Sequence, residues 1–542
     1  MSKKENNNTL VKNATFLMVA ALISKIIGML YKSPLTTLIG RESFACFQFA
    51  QNAYFILLMI ASFSIPQAVS KIMSERIAFK RYRDAQRVFK GALLYAVIAG
   101  GIAALICIFG ASILVPDNMA NARLALQMLA PTIFVSGILG VFRGYFQAYR
   151  NMLPTSISQI LEQIAVATVA LLASGFMVRH FANAGEDTLQ RWSAAGATMG
   201  TGAGVCTAFL FMLFVYKVNH KTIAKKIKND RVSVDESYRS IMKIILLIAA
   251  PIILSAFIYN VNGYINGVMY TSILGWRGVS NSLVKQNYAE YGFFMTLINI
   301  PLTLASTAPT SMMPEVSAQY AIGDLEETKR KIDQATWIAM LISIPASVGL
   351  AVLAQPVTRL IFPSTEGVAG QLMMIGVITV ILNSTSNISN GVLQAIGKAN
   401  IPMINAAIAL GVDVVFLALM LVFTNMGIYA VVLAMVVYAL VMCVLNDRAL
   451  KKYLGYKNPW KSAYFVPILA SIPMGIVAVI VYKLVYAVIG SNFISLIPSI
   501  VFAMVVYFVG YLAVAKPKKE DLAALPGGTR LAQVAQKLKI LK

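Results

Sequence analysis

Long apolar runs with almost no charge recur from one end of this chain to the other, and they restrict its fold more than any other feature. A helix needs about 20 mostly apolar residues to cross the hydrocarbon core of a bilayer, and these runs are that long. Hydrophobic residues make up 58% of the 542 residues and charged residues 13%, so too few polar side chains exist to cover a soluble globule of this size. The sequence therefore predicts an all-α, polytopic membrane protein.

We predict fourteen transmembrane helices from these runs. The first, second and eighth are the richest in polar residues. The predicted spans are 10–31, 44–70, 91–115, 123–148, 154–178, 192–216, 241–268, 286–313, 333–354, 370–394, 401–423, 427–446, 463–487 and 493–515.

The basic residues are unevenly distributed among the segments that connect these spans. Lys and Arg number 46 against 22 Asp and Glu, which gives a net charge of +24. If both termini are cytoplasmic, 36 of the 46 basic residues fall on the cytoplasmic side, as the positive-inside rule requires. We therefore expect a multi-pass protein of the bacterial plasma membrane with both termini in the cytoplasm. Anchoring to anionic inner-leaflet lipids explains the basic segments 71–90 and 217–243 better than binding of nucleic acid does.

Two motifs recur at nearly the same offset, which indicates an internal repeat. The stretch around Pro66 resembles the stretch around Pro314, 248 residues later. The connection from Gly144 to Pro154 resembles the one from Gly391 to Pro402, at offsets of 247 and 248. We infer two parallel six-helix repeats plus two C-terminal helices, with a substrate cavity between the repeats. The predicted parts are an N-terminal lobe (1–220), a basic cytoplasmic linker (221–240), a C-terminal lobe (241–450), two extra helices (451–515) and a cytoplasmic amphipathic tail (516–542).

The segment RGYFQAYRNMLPTSISQILEQ, together with this plan of six, six and two helices, resembles the multidrug/oligosaccharidyl-lipid/polysaccharide (MOP) flippase superfamily. The closest likeness is to its polysaccharide-biosynthesis branch, which holds Gram-positive lipid II flippases and the stage V sporulation protein B type. The resemblance implies alternating-access flipping of an undecaprenyl-diphosphate-linked saccharide, lipid II foremost, from the inner to the outer leaflet. Flippases of this branch carry the pattern S-R-x-x-G-x-x-R in the first span. Here the stretch from Ser24 to Tyr31 keeps a first cation, Lys25, and has tyrosine in place of the second.

Charged side chains within spans are costly and usually functional, which singles out three residues. Lys25 is a candidate for binding the substrate diphosphate, and snorkelling to the outer interface is the alternative. Glu162 is a candidate for substrate binding or for a coupling cation, H⁺ or Na⁺, and a hydrogen bond to a neighbouring helix is the alternative. Asp413 lies eight residues after Asn405 on one helical face, so the two are ion-coupling candidates, or else structural hydrogen-bonding groups.

Amide side chains cluster in three other spans, where they form either a sugar-binding wall or contacts between helices. Asn383, Asn387 and Asn390 follow each other at helical spacing on one face. Gly263 and Gly267, four residues apart in the seventh span, indicate close packing or bending there. The amide candidates for substrate binding are Gln48, Gln51, Asn52, Asn260, Asn262, Asn383, Asn387 and Asn390.

No motif for catalysis, a cofactor or a metal is visible, so an enzyme is not indicated. Arg143 and Arg150, beside the fourth-to-fifth connection, are best explained as positive-inside anchors, although they could also contact the diphosphate. The expected partners are a lipid-linked oligosaccharide, anionic inner-leaflet lipids and a coupling cation, and we expect a monomer. Two alternatives to a flippase remain open: a cation-coupled multidrug or metabolite antiporter of the same fold, and a non-transporting scaffold for envelope synthesis.

Overall fold

The computed structural model describes residues 20–515 apart from 21, 64 and 235, and leaves out some side chains within its helices. Half of the predicted first span (10–19 and 21) and the whole predicted amphipathic tail (516–542) lie outside these residues. In the described part all regular secondary structure is helical, and residues 22–30 form a helix before α1. The helices are α1 (Lys32–Ile39), α2 (Arg41–Leu58), α3 (Ile65–Ala78), α4 (Tyr82–Phe109), α5 (Ala111–Leu114), α6 (Ala122–Met128), α7 (Ala130–Ala148), α8 (Leu153–His180), α9 (Glu186–Lys228), α10 (Tyr238–Trp276), α11 (Asn281–Ala321), α12 (Leu325–Val352), α13 (Ala354–Ile361), α14 (Val368–Gly376), α15 (Ile378–Ala395), α16 (Asn400–Phe423), α17 (Ile428–Leu454), α18 (Val466–Ile489) and α19 (Asn492–Ala515).

In the part of the chain that the structure describes, ten of the fourteen predicted spans have counterparts that are long and apolar enough to cross a membrane. Within the described residues nine such spans occur, and α14 and α15, bent by 45° at their junction, make a tenth. The predicted second span is interrupted by a π-helical turn, Met59–Phe63, between α2 and α3. The predicted seventh and eighth spans lie within the long helices α10 and α11, of 39 and 41 residues.

The chain divides into two compact units, Met1–Ala289 and Glu290–Lys542. Helix α10, which the sequence assigned to the C-terminal lobe, is part of the first unit. The core of that unit contains an aromatic cluster in which Phe89 packs against Phe142, Tyr145 and Tyr216. The lobe limits drawn from the sequence stay a prediction.

Each unit contains the same close contact between two of its helices, at the positions that the sequence repeat picked out. In the first unit, a Cβ on Gly144 would lie 2.7 Å from the carbonyl oxygen of Pro66, so only glycine allows this approach. In the second, a Cβ on Gly391 would lie 2.9 Å from Sδ of Met313, which directly precedes Pro314. Both copies of the motif therefore place a glycine against a neighbouring helix, at backbone atoms in the first unit and at a methionine side chain in the second.

The turns after these helices also repeat. Arg150 and Gly397, 247 residues apart, both have a left-handed backbone, with φ of 59° and 77°. In each turn the next amide closes the helix end: N–H of Asn151 donates to the Phe146 carbonyl at 3.0 Å, and N–H of Lys398 donates to the Leu393 carbonyl at 2.8 Å. This hydrogen-bonding pattern ends a helix and reverses the chain.

The segment between α9 and α10 is tied to the start of α4 by three carboxylates. Asp84 accepts the backbone N–H groups of Val234 and Glu236 at 3.0 and 3.1 Å. Asp230 accepts the backbone N–H of Arg83 at 2.7 Å. Glu236 in turn forms ion pairs with two arginines, Arg76 and Arg81, each at 2.8 Å. The predicted basic linker is therefore held by specific contacts with the second-to-third connection.

Candidate functional site

Glu162, a predicted site residue on α8, forms an ion pair with Arg143 on α7. Nη2 of Arg143 donates to the Glu162 carboxylate at 2.7 Å, and Nε donates to the Ser158 hydroxyl at 3.1 Å. The two side chains retain only 17% and 19% exposure. The explanation of Arg143 as a simple positive-inside anchor therefore missed its partner, 19 positions away on another helix.

A stripe of glycines on α9 brings that helix against α8 beside Glu162. Gly196, Gly200 and Gly204 are spaced four residues apart and face α8. A Cβ on Gly200 would lie 2.6 Å from Cβ of Ala170, and one on Gly204 would lie 2.7 Å from the backbone oxygen of Glu162. Small residues at this spacing let two helices pack backbone to backbone within a membrane. The turn of α8 that carries Glu162 is thus fixed by its neighbour.

Lys25 lies on the helix 22–30, which approaches the same turn of α8. A Cβ on Gly28, one turn after Lys25, would lie 2.8 Å from Oε1 of Gln163. The Lys25 side chain is exposed. Gln159 is on the same face of α8 as Gln163, and its buried Oε1 has no hydrogen-bond partner among the described residues. The structure therefore places the helix that carries Lys25 beside an amide-rich turn.

The predicted amides of α2 bind helices of the same unit. Nε2 of Gln51 donates to the Thr201 hydroxyl at 2.7 Å, and Nδ2 of Asn52 donates to the Tyr288 hydroxyl at 3.0 Å. Gln48 donates to Asn52 at 3.5 Å, while its buried Oε1 lacks a partner within the described part of the chain. Gln51 and Asn52 therefore connect helices, and the Gln48 oxygen is an available acceptor.

The two predicted asparagines of α10 use only some of their hydrogen-bonding groups. Nδ2 of Asn260 donates back to the Ala256 carbonyl at 2.8 Å, so this group is used within its own helix. Oδ1 of Asn262 accepts from Asn266 at 3.1 Å, and the buried Nδ2 of Asn262 has no acceptor among the described residues. Of the two glycines on this helix that the sequence singled out, Gly267 lies against Tyr288, whose hydroxyl oxygen would be 2.7 Å from an added Cβ, whereas Gly263 faces open space.

In the second unit, Asn446 connects two predicted residues and was missed by the sequence analysis. Its side chain is fully buried; Asn405 donates to its Oδ1 at 2.8 Å, and its Nδ2 donates to Asn390 at 2.7 Å. This chain of amides links α16, α17 and α15. Asn383 is half-buried and Asn387 is exposed. The predicted stripe of three asparagines is therefore divided between a helix contact and open positions.

Asp413 is fully buried on α16, eight residues after Asn405. Eight residues of helix rise about 12 Å, which is too far for both side chains to ligate one cation at ordinary distances of about 2.4 Å. Asn405 donates to Asn446, and the ion-coupling role predicted for each of the two residues stays a prediction.

A second buried polar cluster, at the start of α2, α9 and α11, was also missed. Nζ of Lys285, only 7% exposed, donates to Oε1 of Gln190 at 2.8 Å. Gln190 donates in turn to Glu42 at 2.9 Å, and Glu42 also accepts from Gln286 at 3.1 Å. Lys285 is one of the ten basic residues that fall outside the predicted cytoplasmic segments, and its local sequence does not indicate the cluster, because the members of the cluster come from three separate helices.

A family model described as "Polysaccharide biosynthesis protein" matches residues 10–319, more than half of the chain. The chain belongs to this family. A second model, MatE, matches residues 278–419. Membership in the MOP flippase superfamily, which the sequence resemblance predicted, is confirmed, and the chain is a multi-pass membrane protein of that superfamily.

Two curated proteins of Bacillus subtilis (strain 168) are similar over most of their length. Stage V sporulation protein B is 24% identical over 457 residues, which cover 82% of this chain and 84% of that protein. Lipid II flippase MurJ is 23% identical over 427 residues, which cover 76% of this chain and 77% of that protein. One of the two is named for flippase activity, and neither name describes an enzyme.

Two solved structures share the fold. An inward-facing multidrug resistance MATE family transporter of the MOP superfamily matches with a TM-score of 0.63 at 16% identity, covering 80% of this chain and 98% of that chain. Lipid II flippase MurJ in an inward closed conformation matches with a TM-score of 0.58 at 15% identity, covering 91% and 97%. The predicted fold class is confirmed by these matches.

Proposed function

We propose that this protein moves an undecaprenyl-diphosphate-linked saccharide, lipid II foremost, from the inner to the outer leaflet of the bacterial plasma membrane by alternating access. The similarity to a protein named lipid II flippase supports this substrate class. The observation that carries the proposal is the position of Lys25, an exposed lysine on a helix that Gly28 holds against the Gln159–Gln163 turn of α8. A lysine supplies a point charge for phosphate.

Two amides of the first unit supply groups that suit a saccharide. The buried oxygens of Gln48 and Gln159 lack donors among the described residues, and sugar hydroxyls are donors. A buried amide left without a partner costs about 1–3 kcal/mol, which a substrate hydroxyl would recover on binding. Lys25 would then bind the diphosphate while these amides contact the sugars. The inside-negative membrane potential favours outward movement of such an anion.

A complementation experiment tests both the substrate and the role of Lys25. Cells depleted of their own lipid II flippase would express this protein, and lipid II exposed on the outer leaflet would be measured. We expect the wild type to restore exposure, Lys25→Arg to retain it and Lys25→Ala to lose it at equal protein level. Lys483→Ala is the matched control, because Lys483 is also an exposed lysine of a predicted span.

Two results separate the possible errors. If the wild type fails to complement although it reaches the membrane, lipid II is the wrong substrate. If Lys25→Ala complements as well as the wild type, the diphosphate is not bound by Lys25.

Ion coupling is a second part of the proposal, and Asp413 is its candidate. The side chain of Asp413 is fully buried, and a carboxylate in a membrane span is costly unless it has a role. We expect Asp413→Asn to remove any dependence of transport on a proton or sodium gradient. The same dependence in Asp413→Asn and in the wild type would exclude this residue.

A further inference from the structure

A groove of about 850 Å³ runs along the outside of the first unit between α4 and α10. It forms beside a close helix contact: a Cβ on Gly91 of α4 would lie 3.0 Å from Cγ2 of Ile241 on α10. Ile241 and Ile245 face inward and are almost completely buried. The face of α10 next to these two residues lines the groove. The two helices therefore touch along one side of the groove, and the other side is open.

The groove has a cationic end and an apolar remainder. Its first two turns on α10 carry Arg239 and Lys243, and Leu246 and Leu247 follow on the same face. Leu94 lies opposite on α4. The three leucines are exposed by 46%, 65% and 51%, in that order. The stretch from residue 239 to residue 250 is about 17 Å long, roughly half the thickness of the hydrocarbon core.

The cations of the groove differ from the arginines nearby in how their charge is balanced. Arg76 and Arg81 pair with Glu236, and Arg87 donates to the Glu236 carbonyl at 3.0 Å. In the described part of the chain, by contrast, neither Arg239 nor Lys243 forms an ion pair, and both are exposed. Positive charge is therefore left at the mouth of an apolar groove.

One class of ligand matches both ends of this surface. A soluble anion would contact the two cations and leave the leucines unused. A zwitterionic lipid would cover the leucines and gain little from the cations. An anionic glycerophospholipid satisfies both, because its phosphate is held at the polar boundary of the bilayer and its acyl chains extend into the hydrocarbon. Tyr238, half exposed at the polar end, is the kind of residue found at that boundary.

We propose that the groove between α4 and α10 is a binding site for one anionic glycerophospholipid, with its phosphate on Arg239 and Lys243 and its acyl chains along Leu94, Leu246 and Leu247. The inference rests on the proposed orientation, in which the end of the unit that carries Arg239 and Lys243 faces the inner leaflet. The lipid would bridge the third and seventh predicted spans. It is not the transported substrate, so its binding can be measured without transport.

The test measures the thermal stabilisation of the full-length detergent-solubilised protein as each lipid is titrated. We expect phosphatidylglycerol to stabilise the wild type and phosphatidylcholine to do so far less. Two cations near an anionic headgroup contribute about 1 kcal/mol each, so Arg239→Gln/Lys243→Gln should weaken the apparent affinity about 30-fold. The matched control is Lys217→Gln/Lys228→Gln, which removes the same charge from exposed positions on α9 outside the groove. It should behave as the wild type does.

Filling the groove checks the apolar part separately. Leu94→Trp places a larger side chain at a half-exposed position, so the fold should survive while phosphatidylglycerol loses its effect. An equal loss of phosphatidylglycerol affinity in the two double variants would mean that only the net charge of the protein matters, and it would refute the proposed site. Stronger stabilisation by an undecaprenyl phosphate than by phosphatidylglycerol would replace the proposed ligand. Neither outcome depends on whether the protein flips lipid II.

Discussion

Removing one partner of the Arg143–Glu162 ion pair should destabilise the protein more than removing both. Glu162→Gln leaves a guanidinium that is 17% exposed beside a neutral amide, and Arg143→Gln leaves the carboxylate alone. Breaking a buried ion pair from one side costs about 3–5 kcal/mol. Because both groups keep some exposure, we expect about 3 kcal/mol for each single substitution. The double substitution replaces both charges with amides that can still bond to each other.

The coupling between the two positions can be measured by a double-mutant cycle. Unfolding in mixed micelles would be followed for the wild type, both single variants and the double variant. We expect the double variant to lose no more than either single variant, which corresponds to a coupling of about 3 kcal/mol. Ser158→Ala is a useful control, since it removes only the 3.1 Å hydrogen bond from Arg143 Nε. It should cost about 1 kcal/mol.

The same cycle, repeated with transport as the measurement, distinguishes the structural role of Glu162 from the proposed roles in substrate binding and coupling. If the pair is structural, the double variant should regain transport that each single variant loses. Strictly additive effects on stability would refute the reasoning, because they would mean that the two side chains contribute independently although they are in direct contact. A stable double variant without transport would instead assign a direct role in transport to Glu162, to Arg143 or to both.

Two further predictions concern the packing of α9 and the segment that follows it. Gly200→Leu should abolish stable folding, because a Cβ at this position would already lie 2.6 Å from the Cβ of Ala170. Gly101→Ala should be tolerated, because a Cβ there would meet nothing within 4 Å. Thermal unfolding checks both variants, and a folded Gly200→Leu protein would contradict the packing. Burial tends to raise the pKa of Asp230, but the N–H groups of Arg83, Val232 and Ser233 and the Ser233 hydroxyl hold this pKa well below its usual value. The stability that ionised Asp230 contributes to the fold should therefore be complete above a pH of about 4 and should decline as the pH falls further. Hydrogen exchange of the peptide 229–237 checks this, and equal protection in the wild type and in Asp230→Asn at pH 7 would contradict it.

The internal repeat could be predicted from the sequence because it depends on local constraints that leave a mark in the chain. Gly144 and Gly391 both lie against a neighbouring helix, Gly144 against its backbone and Gly391 against the Met313 side chain, and a left-handed turn follows six residues after each. Such positions tolerate few residue types, so both copies of the motif remain recognisable. The fold class followed from composition and from this repeat.

The partners of the polar residues could not be predicted in the same way. Glu162 was recognised as costly in a membrane, but its pairing with Arg143 depends on how α7 and α8 turn relative to each other. The bonds of Asn446 depend likewise on α15, α16 and α17 meeting at one level. The glycine stripe on α9 did carry a signal, its spacing of four residues. The sequence analysis instead noted that spacing on α10, where Gly263 faces open space.

The positive-inside count treats every basic residue as equivalent, and the structure shows that they are not. Two of the arginines near the start of α4, Arg76 and Arg81, are held by the Glu236 carboxylate, so they determine the shape of the connection more than its attraction to lipid. Arg239 and Lys243 lie on the next helix with exposed leucines behind them. An anionic headgroup gains most where a cation is both unbalanced and next to a surface that accepts its tails. Specific lipid contact should therefore concentrate at these two cations, although the surplus of positive charge extends over all the segments that are predicted to be cytoplasmic.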